Sequence, residues 1–314
     1  MKKVFFGCLL ILCGIGVQGQ NLRSEVHTVP GTSVTFKMIQ VPGGSFMMGS
    51  PPSDIGREED EGPQQKVTLS PFFIGEHEVT FAEWDAFFKN YDVPQTKAVK
   101  VDAVSRPTAQ YIDLTWGMGR DARNPTNSLS QTAAIMYCKW LYEQTGVFFR
   151  LPTEAEWEYA CRAGSPTSIP AGVTDIREHA FFRENSNSKY QKVKQLKPNA
   201  WGLYDMLGNL TEWTLDQYDA TAYENFAEGV KDPVSKPGPR YPRTTRGGSY
   251  QDEKSEIRCT NRIPSRADWN QRDPQIPKSR WWLTDAAFMG FRLVHPVKQP
   301  SKEEIESFYA SYLK

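Results

Sequence analysis

The chain has 314 residues, 39% of them hydrophobic and 24% charged, proportions that suit one large globular domain or two small ones. Its 37 Lys and Arg balance its 37 Asp and Glu, so the surplus of positive charge that marks a nucleic-acid or acidic-membrane partner is absent.

Residues 1–19 read as a signal peptide. Lys2 and Lys3 precede the apolar run FFGCLLILCGIGV, and Val17-Gln18-Gly19 is a small-residue cleavage site that leaves Gln20 first. The apolar run is short for a bilayer span, which argues against a retained anchor and for no transmembrane span in the mature chain. Cys13 after Leu-Ile-Leu leaves a lipoprotein as the minority alternative. Export to a periplasmic, cell-surface or secreted location leaves Cys138, Cys161 and Cys259. One disulfide and one free thiol is the simplest arrangement of three in an oxidising compartment.

Short strands are predicted at Phe36 to Val41, Lys66 to Leu69 and Phe72 to Ile74, apolar stretches bounded by Gly, Pro and Ser. Thr80-Phe-Ala-Glu83 is a capping box that opens a helix with Trp84, Phe87 and Phe88 at helical spacing. Ser130 opens a second helix, in which Ala133, Tyr137, Trp140 and Leu141 share a face and which Gly146 stops. Thr153-Glu-Ala-Glu156 caps a third, with Trp157 and Ala160 facing one way and Gly164 at its end. From Asn185 to Arg280 the chain is rich in Asn, Pro and Gly and has little periodicity. A last strand follows at Gly290 to Val294, and Ser301-Lys-Glu-Glu304 caps a C-terminal helix. Few helices, short strands and long ordered loops give an α+β fold, and nine Trp give it a ring-rich core.

Six segments stand in fixed order: VPGGSFMMGS (41–50), GPQQKVTLSPFFIGEHEVTFAEW (62–84), RLPTEAEWEYACRAG (150–164), NAWGLYDMLGNLTEW (199–213), RGGSY (246–250) and GFRL (290–293). From Thr35 to Pro296 the chain resembles the formylglycine-generating enzyme, or sulfatase-modifying factor, family. The resemblance implies a variant C-type-lectin-like fold with little regular secondary structure. It divides the chain into a signal peptide (1–19), an N-terminal extension (20–34), the family domain (35–297) and a C-terminal helix (298–314).

The carboxylates Glu154 and Glu156 invite an acid–base role. They stand two positions apart, off a common face, and their place in the first turn is explained by the helix dipole. Two carboxylates around the Gly turn of Asp205-Met-Leu-Gly-Asn-Leu-Thr-Glu212 offer oxygen donors of the kind calcium takes, or else simply cap turns. The family's enzyme holds a structural calcium there. The resemblance implies Asp205 and Glu212 as carboxylate ligands, with Gly208 and Leu210 contributing backbone oxygens. Asn209-Leu-Thr211 also matches a glycosylation sequon, a match read as accidental inside this motif.

In the family's catalytic members two cysteines after RGGSY hold copper(I), which soft thiolates select, and oxidise a sulfatase cysteine to formylglycine. Here Asp252 takes the first of those places and no thiol lies between Tyr250 and Arg258, so copper is not expected. Cys161 and Cys259 match a structural disulfide of the family, closing a loop of about a hundred residues worth several kcal/mol in the chain-entropy picture. Cys138 matches a second family cysteine whose partner is Leu293 here, which leaves it a buried free thiol. His27, His77, His179 and His295 are far apart in sequence. That argues against a compact histidine-iron site and leaves open one assembled from distant loops.

Ser249, Asp252 and Glu253 are the candidates for lining a retained groove where the thiols would stand, a solvated DEKSE loop being the alternative. Arg246, Trp269, Arg280, Trp281 and Trp282 are candidate binding contacts, since Trp and Arg anchor binding hot spots; core packing is the alternative for one of the Trp pair. The expected function is an exported binding or scaffold domain at the cell envelope that holds an exported protein or peptide, such as a sulfatase or an envelope component. The alternative is an oxidase that modifies a sulfatase through a different residue set. Hydrolysis by Ser249 ranks third, for want of a nucleophile elbow or a nearby histidine.

Overall fold

The computed structural model describes residues 22–89, 112–227 and 229–313, with Pro107 and Gln110 between them; the leader at 1–19, its Cys13 and Gln20 lie outside the described residues. In chain order the strands are β1 (Ser24–Thr28), β2 (Thr35–Val41), β3 (Gly44–Met48), β4 (Gln65–Leu69) and β5 (Phe72–Gly75). Then come β6 (Thr211–Gln217), β7 (Arg243–Arg246), β8 (Arg262–Pro264), β9 (Met289–Gly290) and β10 (Val294–Pro296). The helices are α1 (Phe81–Phe88), α2 (Gln131–Thr145), α3 (Glu154–Arg162) and α4 (Lys302–Tyr312).

Among the described residues all four helices start where the sequence puts a cap. Thr80, Thr153 and Ser301 each make a capping box, with Glu83, Glu156 and Glu304, and Ser130 accepts from the amide of Ala133. Gly146 ends α2 in the left-handed region, at φ 75°. At the end of α3 the left-handed position falls one residue earlier than expected, on Ala163, with Gly164 following. Helix α3 also has no outer face: all nine of its residues are buried.

The strands form a sheet of order β1-β2-β5-β10, a β3–β4 ribbon, and a second four-stranded sheet of order β8-β7-β6-β9. Within the latter, β6 and β9 run parallel while the other pairs are antiparallel. The stretch expected as one strand at Gly290 to Val294 instead serves two sheets, ending β9 at Gly290 and beginning β10 at Val294. The residues between them turn inward: the carbonyls of Phe291 and Leu293 accept from the amides of Val79 and Gly75. β6, β7 and β8 lie in the region read as loop. Six of the seven residues of β6 and all four of β7 are buried, so neither shows the alternation that reveals a half-exposed strand.

Two cores result. The larger gathers α1, α2 and α4 around Trp84, whose ring meets Phe87, Tyr137, Trp282 and Phe291 at 5.2–6.4 Å. The smaller packs α3 against β4 and the turns before β6, through Val67, Trp157, Phe182, Met206 and Leu207. Cys161 and Cys259 are bonded within the smaller core, as expected, and Cys138 is a buried free thiol in the larger. Trp269, Trp281 and Trp282 are 5%, 2% and 1% exposed, so these three candidate contacts are core residues. Together the elements make the α+β architecture with limited helix and mixed sheets.

Candidate functional site

Helix α3 points Glu154, Glu156 and Glu158 into the protein, and each carboxylate meets an arginine. Glu156 takes a two-pronged contact from Arg150 at 2.6 and 2.7 Å. Glu154 accepts from Arg262 at 2.7 Å and from Arg246 at 3.0 Å; Glu158 accepts from Arg162 at 2.8 Å and Arg246 at 3.0 Å. Burial pushes the Glu154 carboxyl up, but the two guanidinium groups outweigh it and hold the group below its ordinary range. Charge pairing, beyond the helix dipole, is what occupies these side chains, and none is available as an acid or base. Arg246, expected as a binding contact, is fully buried. Its remaining donors go to the Tyr223 hydroxyl at 2.7 Å and the Cys259 carbonyl at 2.9 Å.

Past Arg246 the chain turns on two glycines in the left-handed region, Gly247 at φ 101° and Gly248 at φ 67°. Ser249 follows, fully buried, with its hydroxyl donating to Asp252 Oδ2 at 2.8 Å and its amide donating to the same oxygen at 2.7 Å. The Asp252 side chain therefore closes this turn, and burial raises its pKa. Ser249 is thus buried within the turn, and Asp252 is half-buried beside it. Glu253 is at the surface, paired with Arg183, and it forms a capping box with Glu256 around a short turn. The acidic loop is thus a closed surface turn held by its own side chains.

A copper(I) ion bound as in the family's catalytic members does not fit these residues. The turn supplies a carboxylate already spent on Ser249, Cys161 and Cys259 are bonded to each other, and Cys138 is fully buried, which pushes its thiol up and keeps it protonated.

The segment expected to hold calcium is built around Gly208, where an added Cβ would stand 2.2 Å from the Phe181 carbonyl oxygen. Glu212 does not fit as a ligand. Its oxygens accept from Arg292 Nη2 at 2.5 Å, share the one Arg292 Nε hydrogen at 2.7 and 2.9 Å, and accept from the Trp157 indole at 2.8 Å, so both are held by the arginine. Asp205 fits better: Oδ2 accepts from the Lys194 amide at 2.9 Å, and no bond to Oδ1 is made among the described residues. No motif marked Glu78, which is fully buried here and accepts from Asn209 Nδ2 at 2.7 Å and the Leu210 amide at 2.8 Å. Three buried carboxyls thus surround one buried guanidinium, that of Arg292. Burial and mutual repulsion raise the pKa of Glu78, and burial raises that of Asp205.

The most exposed of the candidate contacts, Arg280, stands on a cleft between the start of α2 and the turn before β7, shared with Arg240, Tyr241, Arg243 and Tyr312. Arg240 donates to the Ser279 carbonyl at 2.7 Å and Arg280 to the Leu313 carbonyl at 3.3 Å. Arg243 is buried, donates through Nη2 to the Gly238 carbonyl at 2.8 Å, and leaves Nε and Nη1 without a hydrogen-bond partner among the described residues. Across Tyr312 lies a second, more apolar cleft lined by Phe72, Phe148, Val234 and Phe308. Three guanidinium groups beside an apolar trough can hold carboxylates of an extended acidic segment while its apolar side chains are buried alongside. Arg240, Arg243 and Tyr241 were not anticipated; the only hint is their spacing ahead of RGGSY.

A family profile described as the sulfatase-modifying factor enzyme 1-like domain matches residues 24–296. Serine/threonine-protein kinase pkn1 of Chlamydia pneumoniae is 30% identical over 78% of this chain, which spans only 38% of the kinase's length. Formylglycine-generating enzyme of Bos taurus is 27% identical over 81% of this chain and 79% of its own. Inactive C-alpha-formylglycine-generating enzyme 2 of Bos taurus is 30% identical over 74% and 90%. Among solved structures, PvdO from Pseudomonas aeruginosa superposes with a TM-score of 0.60 at 26% identity, covering 83% of this chain and 94% of its own.

Proposed function

The chain belongs to the sulfatase-modifying factor enzyme 1-like domain family, and from that premise we propose that it works as an exported binding or scaffold domain of the cell envelope, without copper and cysteine oxidation. The observation that carries the proposal is the turn after RGGSY, where the Asp252 carboxylate is bonded to Ser249 and, among the described residues, no thiol is both near and free. The arginine cleft supplies the binding surface. Its ligand is an acidic segment of an exported protein, a sulfatase or an envelope component among them, seated with carboxylates on Arg240, Arg243 and Arg280. Export is supported by the leader read from residues 1–19. One relative's name, that of an inactive formylglycine-generating enzyme, describes a comparable loss of chemistry on this fold.

The test is an aldehyde assay. The purified protein receives copper(I), oxygen and a sulfatase-type peptide containing Cys-x-Pro-x-Arg, and mass spectrometry looks for formylglycine. No aldehyde is expected, under conditions where a catalytic family member converts the peptide. Aldehyde formation would sink the proposal in favour of the oxidase reading, and its survival in Cys138→Ser would place that chemistry outside the thiols.

Calcium enters the proposal as a structural ion held at Asp205 and the turn's backbone oxygens, with Glu78 behind them and Glu212 left to Arg292. Calcium is then expected to raise the melting temperature of the native protein and a chelator to lower it. Asp205→Asn should abolish the difference; an equal calcium response in that variant would move the ion elsewhere.

A further inference from the structure

Two histidines from opposite ends of the chain meet on one face of the first sheet. His27 lies on β1 and His295 on β10, the two outer strands, yet their rings are 5.6 Å apart and nearly perpendicular. Glu25, two residues before His27 and so on the same face of β1, places Oε2 3.7 Å from Nε2 of each histidine. One donor atom from each of the three residues lies within 4.8 Å of the other two.

Several features of this cluster are those of a ligand set. Both Nε2 atoms are buried and have no hydrogen-bond partner among the described residues. His295 is 4% exposed, and its Nδ1 stands 3.2 Å from the Pro296 carbonyl, which can only accept. The proton therefore sits on Nδ1 and the Nε2 lone pair faces Glu25, the arrangement of metal-bound histidines whose other nitrogen is held by a backbone carbonyl. Phe36 and Phe73 stack on the two rings at 5.3 and 4.6 Å, and Phe149 meets both edge-on, so the imidazoles are fixed in place. A plain ion pair explains less. At 3.7 Å neither nitrogen is hydrogen-bonded to Glu25. The Glu25 side chain remains 31% exposed, which leaves an entry path from solvent.

We propose that Glu25, His27 and His295 bind a divalent transition metal of the zinc class, through two imidazole nitrogens and one carboxylate oxygen. Two nitrogens and an oxygen suit zinc, and three protein ligands leave its fourth position to water or to a donor from a partner. Bonds of about 2.0–2.1 Å in a tetrahedron set ligands about 3.3 Å apart, so the two Glu25–histidine separations of 3.7 Å need close by only a few tenths of an ångström, while the two imidazole nitrogens, within 4.8 Å of each other, close by up to about 1.5 Å through small ring rotations. A bound ion would tie β1 to β10 across two intervening strands, a link no hydrogen-bond ladder makes. The site is separate from the RGGSY turn, from the Asp205 turn and from the arginine cleft, so it stands or falls independently of the binding role.

The experiment uses the full protein without a polyhistidine tag, stripped by chelation and titrated with Zn2+ by calorimetry and with Co2+ as an absorbing probe. One equivalent of each ion per chain is expected, with intense ligand-field bands of a four-coordinate Co2+ centre and a Zn2+-dependent rise in melting temperature. His27→Gln and Glu25→Gln, both at partly exposed positions, should each weaken Zn2+ binding by more than about tenfold, since loss of even an outer-shell partner costs that much. His295→Gln should do the same, and circular dichroism shows whether this buried variant is folded. Failure of the native protein to take up a stoichiometric ion overturns the proposal. So does equal uptake by a folded Glu25→Gln, His27→Gln double variant.

Discussion

Asp216 illustrates what a single buried residue does here. Its carboxylate accepts the first amide of α3, from Glu154, at 2.7 Å and the Ser235 amide at 2.8 Å, so it anchors a helix start. Burial, and then the charge of Glu154, push its pKa up to about 7 from an ordinary 3.8. The folded state therefore holds a proton that the unfolded chain releases above about pH 4. Stability from this group is greatest near that pH, falls by about 1.4 kcal/mol for each pH unit up to about 7, and is level beyond. Asp216→Asn carries a pH-independent cost for the amide it no longer accepts, but it should flatten this decline. Melting temperatures of both proteins from pH 5 to 8 check it, and parallel curves would contradict it. Little of this was legible in the sequence. Asp252 was seen in place of a thiol, but that its carboxylate folds back on Ser249 depends on burial, which the residues DEKSE do not advertise. The burial of Arg246 was missed for the same reason: arginine reads as surface until its partners on α3 are known.

At the scale of elements, α3 is a helix whose charged residues all point inward. Removing one partner from such a set leaves an uncompensated buried charge, at about 3–5 kcal/mol. Arg246→Met should therefore destabilise the protein by about that much in urea unfolding, although Arg262 and Arg162 still pair with Glu154 and Glu158. Adding Glu158→Gln should recover part of the loss, because the two residues are in contact; simple additivity of the two costs would show them uncoupled. The starts of the four described helices were readable because their caps are local: three are capping boxes confined to four consecutive residues, and the fourth is Ser130. β6 and β7 were not readable, because strands buried on both faces lose their period of two. The break at Phe291 to Leu293 between β9 and β10 follows from Arg292, whose side chain is drawn to Glu212 and whose neighbours give their carbonyls to other segments.

Across the whole molecule, α4, the expected C-terminal helix, packs into the main body. Ile305 and Tyr309 are buried in the larger core, and the Tyr309 hydroxyl donates to the Phe149 carbonyl at 2.7 Å. A chain stopped after Val297 should lose at least about 3 kcal/mol, the cost of emptying such a site, read as a lower urea midpoint. An unchanged midpoint would show α4 to be an appendage. The fold class was legible through the ordered motifs. The convergence of His27 and His295 was not, since only the finished sheet brings β1 and β10 within reach of one side chain. The docking of α4 also bears on the timing of folding. A ribosome delivers the N-terminal end first, at about 5–20 residues per second, and α2 emerges long before the residues that cover it. The larger core has no lid until Tyr309 has been made, so from the emergence of α2 until then the nascent chain carries an open aromatic surface. During that interval a factor that shields aromatic side chains has its opportunity to act.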